Sequence, residues 1–144
     1  MRAKAGPVNR SAFLTTVAIT ALAVGALSLL APETLITVVK RAPPSPTAIV
    51  QARTVGVLLL SIGVLDLLVR RHEDSATMQA VLRANLFLQL AILPIDPCAY
   101  ATGVYTTWGS FLPNTILHLV LAAGFVMHLG RMRVNTPAPA QRRR

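Results

Sequence analysis

Apolar residues run in four long blocks, broken by short stretches rich in charge, proline or glycine. The blocks cover about residues 12–30, 48–69, 78–93 and 110–129. A helix rises about 1.5 Å per residue, so about 20 residues cross a hydrocarbon layer about 30 Å thick. The pattern predicts four transmembrane helices in 144 residues. The breaks are short, so successive helices run in opposite directions. The expected fold is an all-α membrane protein, an antiparallel bundle of four transmembrane helices.

The breaks carry their own signals. In the first, residues 31–47, Pro32 ends or bends the first helix. Leu35, Ile36, Val38 and Val39 suit a short interfacial segment or a helical extension. Pro43, Pro44 and Pro46 then form an extended elbow, because each ring fixes φ and restricts its predecessor. The second break, 70–75, is short and charged, with Asp74 or Ser75 placed to cap the third helix. The third, 94–109, holds Tyr100, Tyr105 and Trp108, residues that favour the membrane–water interface. Pro113 opens the fourth helix, where a missing N–H costs little.

Charge sets the orientation. Ten cations occupy the N-terminal stretch, the middle break and the C-terminal stretch; only Lys40 and Arg41 occupy the first break, and none the third. Cationic loops stay in the cytoplasm, so both termini and the middle break are expected inside (N-in/C-in). The division is a basic tail over 1–11, one transmembrane domain over 12–130 and a disordered basic tail over 131–144. The first block is longer than a secretory h-region, so an uncleaved first helix is expected. The Arg-, Ala- and Pro-rich tails fit a GC-rich bacterium, and the expected location is its cytoplasmic membrane.

The net charge of +9 raises the question of nucleic acid. The basic residues sit at the ends of apolar blocks, where topology signals belong, and no nucleic-acid motif accompanies them. No nucleic-acid partner is expected. With most of the chain in membrane helices, no extramembrane catalytic domain is expected either.

Ionisable groups within a bilayer are costly and tend to face the bundle interior, paired. Topology assigns their depths. Arg53 lies in the outer half of the second helix and Asp96 at the outer end of the third. Asp66 and Arg83 share the inner half. The expected ion pairs are Arg53–Asp96 and Asp66–Arg83, both joining the second helix to the third. Alternatives stay open for the inner pair: Arg83 snorkelling to headgroups, and Asp66 meeting Arg70 four residues on.

Spacing adds two stripes. Asn85, Gln89, Ile92 and Asp96 share one face of the third helix, and Asn114, His118, Leu121 and Phe125 one face of the fourth. Facing each other, they would line an interior seam, with Gln51 and Arg53 at its outer mouth. One reading makes these amides and the histidine interhelical glue, worth about 0.6–2 kcal/mol each. The other makes Gln51, Arg53, Gln89, Asp96, Asn114 and His118 a ligand pocket open to the outer leaflet, with His118 tuned by Asp96 as acid or base. Gly56 and Gly63, with Ala21 and Gly25, suit close helix contact.

Other chemistries lack their residues. Cys98 is the sole cysteine, so no internal disulfide or CxxC pair exists. His72, His118 and His128 are too scattered for a metal site, and no cofactor is expected. No HExxH, P-loop, GxSxG or dinucleotide fingerprint is present.

Gly25 with Ala31-Pro32-Glu33, Arg53-Thr54-Val55-Gly56, Gly63, Asp96, and Pro113 through His118 to Gly124-Phe125 form a set. In these residues, across about 12–129, the chain resembles small bacterial four-helix membrane families described as domains of unknown function. The resemblance implies a four-helix bundle and no activity. The expected role is structural or accessory, with membrane lipid as partner and a lipophilic small molecule as possible ligand. One alternative is a membrane enzyme doing isomerase-like acid–base chemistry with His118 and Asp96. Another is a small oligomeric transporter, which would need a second copy or a membrane-protein partner.

Overall fold

The computed structural model describes residues 9–132. The far ends of both basic tails, 1–8 and 133–144, lie outside the described residues. The described chain is helical, with no strand among the described residues. Four helices are long and apolar enough to cross a membrane: Arg10–Leu30, Pro46–Val69, Ala76–Ala101 (interrupted near Pro94) and Leu112–Arg131.

The first helix, α1 (Arg10–Leu30), starts two residues before the apolar block because the Asn9 side chain caps it, accepting from the Ser11 N–H. After Ala31 the chain continues as a short helix α2 (Pro32–Thr34) and a wider π-helical turn over Leu35–Val39. The helical-extension reading is the one the chain adopts, and it delivers Lys40 to the far side. Arg41 then takes a left-handed conformation, φ 51°, which breaks the helix ahead of the prolines. The next helix, α3 (Pro46–Val69), begins with Pro46 in its first turn and Ser45 as cap. Proline suits this place because its absent N–H would have no helical partner. Ser75, rather than Asp74, caps α4 (Ala76–Ile92), accepting from the Met78 N–H. Asp74 instead forms an ion pair with Arg10 at the start of α1. Pro94 and Pro97 do not end the third span. The chain turns briefly and resumes as α5 (Ile95–Ala101), carrying the span beyond residue 93. A 3-10 turn, Trp108–Ser110, leads into α6 (Leu112–Arg131).

The helices associate as two tight pairs, α1 with α3 and α4 with α6. Glycine sets the first. A Cβ on Gly56 would lie 2.7 Å from the Leu29 nitrogen and 2.8 Å from the Gly25 carbonyl oxygen. These are backbone atoms, so no side-chain rotation relieves the clash. Gly63 continues the contact against Ala18 and Leu22. Close backbone approach replaces the hydrophobic drive that lipid removes.

The pairs meet over an apolar core of Leu14, Val17, Met78, Leu82, Leu121 and Phe125. The Phe13 ring stands edge-on to Phe125, centroids 5.0 Å apart, and lies 4.8 Å from the His128 ring. Gly124 makes room for it: a Cβ there would fall 2.3 Å from the Phe13 ring. By contrast α3 and α4, though joined by a short turn, stay apart along most of their length.

Candidate functional site

Buried acids and amides within the spans gather in two layers, named outer and inner after the expected topology. The outer layer forms where α2 and its π-helical turn, α5 and the start of α6 converge. Asp96 is 6% exposed although it is an acid in an apolar span. Its Oδ2 accepts from the Lys40 Nζ at 2.7 Å and from the Asn114 Nδ2 at 2.7 Å. One turn further into α6, His118 meets Gln89 of α4, with Nδ1 and Oε1 2.5 Å apart. When its Nδ1 carries the proton, His118 donates to this amide oxygen, which only accepts.

Aromatic residues roof this layer. The Lys40 ammonium lies over the Tyr105 ring, 5.4 Å from its centre, within cation–π range. Burial, and then the negative charge of Asp96 beside it, push the Tyr105 hydroxyl above its usual range. It therefore remains an O–H donor at neutral pH. Tyr100, Trp108 and Phe111 stack against one another with centroids 5.0–5.6 Å apart. The Arg41 guanidinium packs on Gly109, where a Cβ would lie 3.0 Å from Nη1.

The inner layer is smaller. Asp66 is fully buried, and its Oδ1 accepts from the Asn85 Nδ2 at 3.0 Å. Its Oδ2 is buried without a hydrogen-bond partner, as is the His128 Nε2. Arg10 ties the base of α1 to the α3–α4 turn through Asp74 and the His72 carbonyl.

Several sequence expectations need correction. Arg53 does not pair with Asp96; it is exposed, as is Gln51. The physical cause is the glycine contact. α3 packs through Gly56 and Gly63 on α1 rather than on α5, so Arg53 is not carried to Asp96. Asp96 takes its cation from Lys40. Arg83 does not pair with Asp66 and is exposed. Residues two apart on a helix point about 200° apart, so burying Asn85 turns Arg83 outward. Arg70 does not reach Asp66 either; it donates to the Leu67 carbonyl at the end of α3. Of the six residues proposed for a pocket, the structure brings together Gln89, Asp96, Asn114 and His118.

Lys40 and Tyr105 were missed. Lys40 had a signal: it is a cation in a loop assigned to the side where cations are scarce. One of only two cations on that side, level with a buried acid, is a candidate partner for it. Tyr105 had only its aromatic character. Among the described residues no group of three His, Cys, Asp or Glu side chains is placed to hold a metal ion.

Comparison with protein-family models, with curated proteins and with solved structures finds no match. The four spanning helices make this a multi-pass membrane-type chain by length and composition.

Proposed function

We propose that this chain is a structural or accessory protein of a bacterial cytoplasmic membrane, with lipid as its immediate partner. Its four spans form an antiparallel bundle, with both termini and the α3–α4 turn on the cytoplasmic side. That orientation rests on the distribution of cations along the chain.

One observation carries the structural role. The buried Asp96 and Gln89 of the outer layer are both engaged by side chains of other segments: Asp96 by Lys40 and Asn114, and Gln89 by His118. This is interhelical glue, and it clamps residues 35–40 onto the α5–α6 corner.

Thermal unfolding with lipid analysis tests this reading. Asp96→Asn is expected to lower the melting temperature in detergent and to leave co-purifying lipid unchanged. An unchanged melting temperature with loss of a bound small molecule would make the layer a ligand pocket instead.

A further inference from the structure

The gap between α3 and α4 is an open, apolar groove of about 530 Å³, within the usual range of small-molecule sites, about 300–1,000 Å³. Ile62 and Leu65 of α3 form one wall. Ala80 and Ala84 leave the other shallow, and Phe87 and Leu88 close the far end. The groove exists because each helix spends its close-packing face elsewhere: α3 embraces α1, and α4 packs on α6. No described segment fills it.

The geometry points to one acyl chain of an anionic phospholipid, drawn from the leaflet at the α3–α4 turn, as the occupant of this groove. This inference rests on the lipid partner of the proposed function and assigns it a place. Length is the first argument. From Thr77 to Leu88 the groove follows α4 for about 16 Å at 1.5 Å per residue. That is about half of a hydrocarbon core about 30 Å thick, the depth of a single leaflet. It starts at the membrane surface, in the first turn of α4, rather than at mid-depth.

Charge is the second argument. The turn that joins the two walls carries Arg70 and Arg71, and Arg71 is exposed. Of the two acids on that turn, Asp74 is ion-paired with Arg10, so the cations outnumber Glu73. A chain lying in the groove places its phosphodiester beside this turn, where an arginine fork fits phosphate oxygens.

The test is native mass spectrometry of the full chain reconstituted in vesicles of equal phosphatidylglycerol and phosphatidylcholine, then released into mild detergent. Wild type is expected to retain one phosphatidylglycerol. Ala84→Phe fills the groove from an exposed position and is expected to lose it, with helicity and oligomeric state unchanged. Arg71→Gln, on an exposed turn where misfolding is not a concern, is expected to lose the preference for phosphatidylglycerol. Retention of phosphatidylglycerol by folded Ala84→Phe would overturn the groove and leave lipid binding elsewhere standing. Equal retention of both lipids by wild type would overturn the anionic headgroup. Bare wild-type protein would overturn both the groove and the lipid partner of the proposed function, leaving the structural role.

Discussion

Lys40 and Asp96 stand 56 residues apart in the chain and 2.7 Å apart in space. The ammonium sits at the end of the π-helical turn, and the carboxylate at the start of α5. The contact closes the first connecting segment over the outer end of the bundle. Two charges in a partly apolar setting are costly singly and tolerable as a pair with a third donor, here Asn114.

Replacing Lys40 by Met removes the cation and leaves Asp96 with Asn114. A hydrogen bond to a charged group is worth about 1.5–3 kcal/mol, so a loss of about 2 kcal/mol is expected by reversible denaturation in detergent. Lys40→Arg should recover part of it. Full stability in Lys40→Met would show that the clamp contributes nothing to the fold.

The glycine contact between α1 and α3 makes a sharper prediction. Gly56→Val sets a branched side chain against the backbone of Leu29 and Gly25. Overpacking costs about 1–3 kcal/mol where side chains can yield; here backbone must move, so the upper end or more is expected. Val64, on the exposed face of the same helix, is the control: Val64→Leu should be silent. The readout is melting temperature for both variants side by side.

Gly124 and Phe13 should be coupled. Gly124→Ala drives a methyl into the Phe13 ring and is expected to destabilise by about 1–3 kcal/mol. Phe13→Leu frees the space, so the double variant should be more stable than the two single effects imply. A double-mutant cycle measures the interaction; strict additivity would place the ring elsewhere.

In the inner layer, Asn85→Leu strips Asp66 of its hydrogen-bond donor. Interhelical hydrogen bonds in membranes are worth about 0.6–2 kcal/mol, and the orphaned acid adds to that cost. Asp66→Leu combined with Asn85→Leu should recover stability relative to Asn85→Leu alone. A double variant that unfolds more readily than Asn85→Leu would show that Asp66 has a partner beyond Asn85.

Orientation can be read from the native cysteine. Cys98 is uncovered by protein and lies in the last turns of the third span, at the end that the proposed topology places outside. A membrane-impermeant maleimide should label it in intact cells, and Cys98→Ser should abolish the signal. Labelling only after lysis would invert the topology.

Hydrophobic patterning alone located the four spans, three of them to within two residues at each end and the third short by eight at its C-terminal end, because a spanning backbone must be helical. Capping residues such as Asn9 and Ser45, whose partners are local, were equally readable in principle. Periodicity placed Gln89, Asp96, Asn114 and His118 on stripes, since those stripes depend only on 3.6 residues per turn. What periodicity lacks is the rotation of one helix about its axis relative to its neighbours. The Gly25–Gly56 contact committed α3 to α1 rather than to α5, and so kept Arg53 from Asp96. The π-helical turn brought Lys40 to Asp96 across 56 residues. Local rules are properties of a segment and survive in the sequence. The choice among possible partners for one buried acid is decided by which backbone can come closest, and that is a property of the packed structure.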